Sequence, residues 1–242
     1  MKTIGLIGGW GWEASAAYYR IMNREVRNQL GGWHSARIVL DSLDLHPLTT
    51  ANCKADYEAI RATLVASARR LEGAGAELLV IACNTVHRFA DSARDAVDIP
   101  LLHIADVSGK ILSQDGHTRI GLLGTMATMQ SPFYRERLST MHGLDVVLPS
   151  KELRLDLASI IETDLTSGET PEAAAPKMDP AIAYLADQGC SAVLLACTDF
   201  GLAYGATDTA IIQRRLPLYD SAVLHALAAV QLALPQEQHE AR

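Results

Sequence analysis

The chain has 242 residues, 49% of them hydrophobic and 20% charged, and this length predicts one large or two small domains with a sizeable core. Because 21 Lys and Arg face 28 Asp and Glu, the net charge is −7, which argues against nucleic acid as a main partner. No run approaches the roughly 18 apolar residues of a membrane span, and the first ten residues do not resemble a signal peptide. Four irregularly spaced cysteines are too few for a disulfide framework, so we expect a cytoplasmic protein.

The predicted elements alternate between strands and helices along the chain. Eight apolar runs have the length of strands: Thr3–Ile7, Arg37–Leu40, Leu78–Ala82, Leu101–Ile104, Arg119–Leu123, Asp145–Leu148, Ala192–Ala196 and Leu216–Tyr219. Seven segments have helical periodicity: Trp12–Leu30, Asp56–Gly73, Asp91–Val97, Pro132–Met141, Glu152–Leu165, Pro171–Gln188 and Ser221–Leu234. This alternation is typical of an α/β protein with parallel, mostly buried strands.

Three segments of the first half recur in the second half in the same order. IGLIGG (Ile4–Gly9) recurs as IGLLGT (Ile120–Thr125), 116 residues later. AGAELLVIACNT (Ala74–Thr85) recurs as QGCSAVLLACT (Gln188–Thr198), with an offset of 114 residues. IPLLHIAD (Ile99–Asp106) recurs as LPLYDSA (Leu216–Ala222), with an offset of 117 residues. Such near-constant offsets indicate an internal repeat. We therefore predict two similar α/β lobes, each a parallel sheet flanked by helices, related by a pseudo-two-fold axis with the active site between them.

The domain boundaries follow from where the repeats begin and end. The second copy of the first repeat begins soon after residue 106, so residues 106–214 are predicted to form the second lobe. The chain is then expected to return near Leu216, so that residues 1–105 and 215–242 together form the first lobe.

In both halves a repeated apolar strand ends at a cysteine, Cys83 or Cys197, which a threonine follows. Ligands of parallel α/β sheets gather at the carboxyl ends of the strands, so both thiols are expected at a site. Thr85 and Thr198 are good N-cap residues, and the amides that open the next helix can hold an anion and favour a thiolate. If the lobes face each other, the two sulfurs face one cleft.

Two opposed cysteines suit the inversion of a carbon acid centre, in which one group removes a proton from one face and another returns a proton to the other face. A thiol can act as either partner near neutral pH. Asn84, Thr85, Thr198 and backbone amides around a substrate carboxylate could stabilise the carbanionic intermediate. A single cysteine ending a buried strand is more often a small hydrophobe, but the duplication favours function. Cys53 and Cys190 have no duplicate, and we assign them no role.

The sequence resembles the PLP-independent aspartate/glutamate racemases over nearly its whole length. The matching pieces are MKTIGLIGG with Trp12-Glu13, LGGWHSA (Leu30–Ala36), ACNTVH (Ala82–His87), PLLHIAD (Pro100–Asp106), LLGTMATMQSPFY (Leu122–Tyr134) and ACTDFG (Ala196–Gly201). The resemblance implies a two-lobed fold, a catalytic cysteine from each lobe, no cofactor, no metal and a homodimer. It implies an isomerase that racemises a small-molecule amino acid, with aspartate and glutamate as the expected substrates.

Carried over by position, the resemblance makes Cys83 and Cys197 the two acid/base residues. It also implies that Asn84, Thr85 and Thr198 bind the substrate α-carboxylate. The family usually has Thr-Glu after the second cysteine, and here Thr198-Asp199 shortens the carboxylate by one methylene. Asp199 is the third expected catalytic residue, because it could orient or activate Cys197.

The loop after the first strand departs from the family pattern GGMSWES. Trp10 and Gly11 replace its Met and Ser, and both are expected to border the substrate. Some relatives carry an arginine in the loop after the second strand, whereas this loop reads LHPLTT at residues 45–50. A dicarboxylate would therefore need another cation, and Arg154 and Lys54 are the nearest candidates by position. Arg154 is counted among the substrate-binding residues.

Thr125, at the end of the repeated strand in the second half, is also expected to bind substrate. His87 follows Cys83 by four residues on the predicted helical face, and could either polarise the cleft or pack the helix. Glu13 and Trp12 could line the cleft or cap and pack the first helix. A metal site of Cys83, His87 and Cys197 has suitable ligand types, but no metal-binding motif accompanies it.

Three other readings remain open. Gly9–Ala14 matches the dinucleotide fingerprint G-x-G-x-x-A, with Asp41 after the next strand, but this does not explain the repeated Cys-Thr. A non-catalytic binder of small acids would use the same two lobes. Within the superfamily, related carbanion chemistry on another amino acid, a hydantoin, or a decarboxylation or cis–trans isomerisation is also possible.

Overall fold

The computed structural model describes residues 1–51, 53–165, 171–204 and 210–235. Within these ranges, no helix is both long and apolar enough to cross a lipid bilayer. Two sheets, one from each half of the chain, carry the strands, and helices cover their faces.

The first sheet contains four parallel strands in the order β2-β1-β3-β4. Its strands are β1 (Ile4–Gly8), β2 (Ile38–Ser42), β3 (Leu78–Ile81) and β4 (Leu101–Leu102). The two central strands, β1 and β3, are fully buried and read as continuous apolar runs, as expected for strands covered on both faces. Their register aligns Ile7 with Ile81, so the two strands end at the same edge of the sheet.

Five helices accompany the first half of the chain. They are α1 (Trp12–Leu30), α2 (His46–Thr50), α3 (Lys54–Gly73), α4 (Ala90–Arg94) and α5 (Ile104–Gln114), and a 3₁₀ helix at Thr85–Phe89 precedes α4. Helix α1 buries Tyr18, Met22 and Val26 at helical spacing, and it ends where Gly31 adopts a left-handed φ of 73°.

The second sheet has the order β6-β5-β7-β9-β8. Its strands are β5 (Arg119–Gly124), β6 (Asp145–Val147), β7 (Ala192–Ala196), β8 (Ile211–Ile212) and β9 (Leu218–Asp220). All described pairings are parallel except that of β8 with β9. Its helices are α6 (Met126–Gln130), α7 (Pro132–His142), α8 (Lys151–Ile160), α9 (Ala175–Asp187), α10 (Phe200–Ala203) and α11 (Ser221–Ala233). A π-helical turn, Ile161–Leu165, continues α8, and a 3₁₀ turn, Pro171–Ala174, precedes α9.

The last helix of each half packs against the other half. Helix α5 follows a strand of the first sheet but packs on α7 in one core with β5 and β7. Helix α11 follows a strand of the second sheet but packs on α1 in one core with β1 and β3. This reciprocal exchange holds the two sheets together.

The predicted α/β class with two similar parallel sheets is confirmed, and each of the eight predicted strands is present within a few residues. Residues 215–242 were expected to belong to the first lobe, but their described part is shared between the two sheets. Strand β9 pairs with β7 in the second sheet, whereas α11 packs on the first. Residues 236–242 lie outside the described ranges, and the domain boundaries stay a prediction. Strand β8 was not predicted, because its apolar run, Ala210–Ile212, has only three residues.

Candidate active site

The site lies at the carboxyl ends of the central strands of both sheets. Cys83 follows β3 and Cys197 follows β7, and both cysteines line one cleft. The ends of β1 and β5 supply Trp10 and Thr125 to the same cleft. Its volume is about 670 Å³, counted out to the open mouth. The remaining lining residues are Gly11, Glu13, Leu45, Thr49, Asn84, Thr85, Ile161, Leu165, Ala196, Thr198 and Asp199.

Burial dominates the electrostatics of the Cys83 thiol. Its side chain is in the cleft but only 8% of the residue is exposed, and burial raises the pKa of the thiol to about 11. Hydrogen bonds from the backbone N–H groups of Val86 and Thr85 act in the opposite direction and lower the pKa. The amides that open the following helical turn therefore favour the thiolate, as predicted, but burial outweighs them.

The Cys197 thiol has a similar environment with a carboxylate added. Burial raises the pKa of Cys197 well above its usual value, and the charge of Asp199 raises it further, while the backbone N–H groups of Asp199 and Phe200 lower it. The Cys197 Sγ donates a long hydrogen bond of 3.9 Å to Oδ2 of Asp199. Each thiol thus has two backbone donors, and the sulfur of Cys83 is close enough for its charge to raise the pKa of Cys197.

Asp199 and Glu13 bring two carboxyl groups into the cleft. Burial and the negative charge of Glu13 raise the pKa of Asp199 to about 6, against the hydrogen bond from Cys197, which lowers it. A carboxyl group with this pKa can change its protonation state close to neutral pH, which suits it to proton transfer with the neighbouring thiol.

The side chain of Asn84 connects the two halves of the chain behind the cleft. Its Nδ2 donates to Ser221 Oγ at 3.1 Å, and its Oδ1 accepts from the hydroxyl of Tyr134 at 3.0 Å. Ser221 also donates to the carbonyl of Leu195, at 2.7 Å. Because both amide atoms are engaged, Asn84 can offer a substrate its backbone N–H more readily than its side chain.

Three threonine hydroxyls form a second connection between the halves. Thr85 Oγ1 lies 3.0 Å from Oγ1 of Thr125 and 3.4 Å from that of Thr128. Thr125 Oγ1 also accepts from the backbone N–H of Thr128 at 3.1 Å and so caps α6. The cluster places two hydroxyl groups, those of Thr85 and Thr125, at the cleft wall.

Glycines shape the loop that holds Trp10. At Gly9 the φ angle is +84°, and a Cβ there would lie 2.0 Å from the carbonyl oxygen of Leu43, so no other residue fits. Gly11 is also left-handed, with φ of +97°. Trp10 itself is 5% exposed, packs in the core beneath the first sheet with Ile60, and forms a wall of the cleft.

Four residues considered in the sequence analysis lie outside the cleft, and one of them, Trp12, is largely exposed at the first residue of α1. His87 is buried, its Nδ1 bonded to the carbonyl of Cys83 at 2.8 Å and its Nε2 accepting from the N–H of Ile104 at 3.3 Å, which assigns a neutral ring. Arg154, half-buried on α8, does not line the cleft, and its Nε has no hydrogen-bond partner among the described residues. Lys54 is exposed at the start of α3.

The cleft thus collects nine of the eleven predicted site residues, all but His87 and Arg154. Their individual roles stay predictions. Leu45, Thr49, Ile161 and Leu165 also line it and were not predicted, since nothing in the sequence fixes which side of a loop or helix end faces the site. Among the described residues, no three His, Cys, Asp or Glu side chains cluster as a metal site would require.

Comparison with known proteins decides the family. The model of the Asp/Glu/hydantoin racemases matches residues 7–229. The chain belongs to this family. A candidate Asp/Glu racemase from Yersinia pestis has 39% identity and a TM-score of 0.85, covering 97% of this chain and 100% of that one. An aspartate racemase homologue from Pyrococcus horikoshii has 28% identity and a TM-score of 0.79, covering 96% and 99%.

A curated glutamate racemase from Acidothermus cellulolyticus is 26% identical over 187 residues, which are 73% of this chain and 68% of that protein. The resemblance stated from the sequence is confirmed at the level of the family. The enzyme class that it implied, a racemase-type isomerase, is confirmed with it.

Proposed function

We propose that the protein is a cofactor-independent amino-acid racemase in which Cys83 and Cys197 exchange protons with opposite faces of the substrate α-carbon. The observation that carries the proposal is the position of the two thiols. Each follows a central strand of a different sheet, at equivalent points of the internal repeat, and both border one cleft. A planar intermediate held between them would be reachable from both sides.

In the reaction, the thiolate of one cysteine takes the α-proton and becomes a thiol, and the electron pair stays on the substrate as a carbanion. The thiol of the other cysteine then donates its proton to the opposite face and becomes a thiolate. Protons balance, and the two cysteines end with their roles reversed. Because burial raises the pKa of both thiols, each thiolate is a stronger base than an exposed one once it forms.

The first thiolate requires a proton acceptor. Asp199 lies 3.9 Å from the Cys197 sulfur, and its pKa of about 6 leaves it mostly ionised at pH 7. We therefore assign Asp199 to accepting and returning the Cys197 proton. Loss of charge from Cys83 also favours ionisation of Cys197, since a charged Cys83 raises the pKa of Cys197.

The substrate α-carboxylate is assigned to the polar wall between the cysteines. This wall has the hydroxyls of Thr85, Thr125 and Thr198 and the backbone N–H groups after each cysteine. Such donors, held in place by the surrounding structure, stabilise negative charge that spreads from the α-carbon into the carboxylate. The names of the relatives make aspartate and glutamate the first compounds to assay.

The test is exchange of the α-proton in deuterium oxide, followed by NMR and chiral chromatography, over a panel of L- and D-amino acids. Cys83→Ala and Cys197→Ala are each expected to abolish racemisation, while a single variant can still exchange deuterium into one enantiomer. Cys53→Ala, at an exposed thiol, and Cys190→Ala, at a buried one, are the controls and should retain turnover. Full racemisation by Cys83→Ala would eliminate the two-base mechanism.

We also propose that the enzyme is a homodimer, as the family resemblance implies. Support comes from large apolar side chains on the surface of the isolated chain. Trp12 and Tyr19, seven residues apart on α1, are 67% and 55% exposed, and Trp33 beyond the helix is 94% exposed. Light scattering after size-exclusion chromatography tests this, and Trp12→Glu with Tyr19→Glu should shift a dimer toward the monomer if this face is the interface.

A further inference from the structure

The charged side chains that line the described part of the cleft are all acidic. Its described lining contains two carboxylates, Glu13 and Asp199, and no Lys, Arg or His. The internal stretches outside the described ranges, residue 52, residues 166–170 and residues 205–209, have no basic residue in their sequence. A second negatively charged group on a substrate would therefore meet no counter-charge from any of these residues.

The α-ammonium and α-carboxylate groups, which every α-amino acid substrate carries, match the two kinds of polar group in the lining. The α-ammonium group matches the carboxylate pair of Glu13 and Asp199, and the α-carboxylate matches the threonine hydroxyls and backbone N–H groups. A zwitterion is thereby neutralised without any contribution from the side chain.

The rest of the lining is left for the substrate side chain, and it is uncharged. Trp10, Leu45, Ile161 and Leu165 supply apolar surface, and Thr49 supplies one hydroxyl. A distal carboxylate in this part of the cleft would lose water without gaining a cation, and it would stand near two like charges. An amide or hydroxyl side chain carries no charge and loses less hydration free energy than a carboxylate, and an alkyl side chain gains from burial.

Lys54 and Arg154, the two cations named in the sequence analysis as candidates for a distal carboxylate, lie elsewhere. Lys54 is exposed at the first residue of α3. Arg154 lies near the start of α8, whereas the cleft is lined by the π-helical turn that continues this helix from Ile161, seven residues later. Neither lines the cleft.

We infer that the cleft selects amino acids with an uncharged side chain and discriminates against aspartate and glutamate. This inference rests on the proposed racemase function and narrows its substrate, against the expectation from the family resemblance. The substrate class is an amino acid with a neutral, short polar or aliphatic side chain.

Isosteric substrate pairs test the inference directly. Asparagine and aspartate, and glutamine and glutamate, have nearly the same size and differ in charge. The enzyme is expected to show kcat/KM at least tenfold higher for the amide of each pair, in both directions of racemisation. Equal or higher kcat/KM for the acids would overturn the inference, and loss of that activity in Arg154→Ala would identify the cation responsible.

A gain of function provides the second arm. Thr49 is exposed on α2 and borders the cleft, so Thr49→Arg places a guanidinium at the cleft without burying it in the core. The variant should raise the acid-to-amide ratio of kcat/KM at least tenfold, whereas Thr49→Met, which is unbranched and uncharged, should leave the ratio unchanged. An unchanged ratio in a folded Thr49→Arg variant would count against the charge argument.

The failure of this inference and the failure of the proposed function give different results. If the enzyme racemises the acids in preference to the amides, the two-cysteine proposal survives and only the selectivity is wrong. If it exchanges no α-proton of any amino acid, both are wrong.

Discussion

The Cys197 thiol and the Asp199 carboxylate are hydrogen-bonded at 3.9 Å within the turn that follows β7. Cys83, the equivalent cysteine of the first half, is followed by Asn84 and Thr85 and has no carboxylate at the corresponding position. The two thiols are therefore not equivalent, although the strands that carry them are. The asymmetry gives one cysteine its own proton acceptor.

The first prediction concerns the pH dependence of turnover. Asp199 must be ionised to accept the Cys197 proton, and its pKa is about 6, so kcat/KM should fall as the pH falls through 6. Asp199→Asn should lower kcat/KM by about 10²- to 10⁴-fold and remove this acid limb. Asp91→Asn, at an exposed residue paired with Arg94, is the control. If kcat/KM of Asp199→Asn still falls as the pH falls through 6, the titrating group is not Asp199.

The second prediction concerns the connection between the two halves. Asn84→Ala removes the acceptor of the Tyr134 hydroxyl and one of the partners of Ser221, and an unfilled hydrogen bond of a buried group costs about 1–3 kcal/mol. Urea denaturation should show a free energy of unfolding lower by this amount. Asn28→Ala, on the exposed face of α1, should change it by less than about 0.5 kcal/mol. Equal stability of both variants would show that the network contributes nothing.

Much of the fold could be predicted because buried parallel strands are continuous apolar runs. β3 and β7 each have this form, and the repeat places a cysteine after both. The short helices α2, α6 and α10 were not predicted, because four or five residues complete little more than one turn and show no periodicity. Helix α5 was also missed, although its 11 residues are long enough to show periodicity. Their positions depend on the strand ends that they follow.

The position of His87 illustrates what sequence spacing leaves undetermined. Four residues after Cys83 would lie on nearly the same face of an α-helix, which is why His87 was expected near the thiol. The segment Thr85–Phe89 is instead a 3₁₀ helix, and Cys83 lies before it, so the spacing of an α-helix does not apply between Cys83 and His87. The sequence also could not show that Glu13 lines the cleft and Arg154 does not. No pattern in the sequence gives the distance of a side chain from a cleft formed by two lobes.

The third prediction follows from a cluster of buried imidazoles. The ring of His87 lies 4.8 Å from that of His103 and 5.7 Å from that of His225. Tyr18 lies 2.9 Å from His225 Nδ1, and His225 Nε2 lies 3.0 Å from the carbonyl of Leu102, which assigns a neutral ring that donates from Nε2. Burial lowers the pKa of His225 to about 4 and of His103 to about 3, and lowers that of His87 strongly.

Because these pKa values are lower in the folded protein than in the unfolded chain, the unfolded chain binds more protons below pH 6.5. The free energy of unfolding is therefore not reduced by these histidines above pH 6.5, and it decreases as the pH falls toward 4. Replacing one such histidine, in His225→Gln, should reduce the slope of unfolding free energy against pH by up to about 1.4 kcal/mol per pH unit. His46→Gln, at an exposed position, should not change the slope. Denaturant titrations between pH 4 and 7 measure both.

The fourth prediction concerns Trp10, whose side chain lies between the cleft and a second cavity. That cavity is bordered by Leu43, Pro47 and Ile60 among others, and Trp10 lines both spaces. We therefore expect Trp10 to limit the length of the substrate side chain. Trp10→Met, which restores the residue usual in the family's loop, should open a path between the two spaces and raise kcat/KM for methionine and leucine relative to alanine.

Trp10→Phe retains a flat aromatic wall and is the matched control, with a smaller change in that ratio. Both variants lose buried volume, and a large-to-small core change costs up to about 3–5 kcal/mol, so each must first be checked for folding by thermal denaturation. A uniform loss of kcat/KM for alanine, leucine and methionine in a folded Trp10→Met variant would mean that Trp10 only supports the loop between Gly9 and Gly11. A selective gain for the longer substrates would identify it as the residue that sets side-chain length.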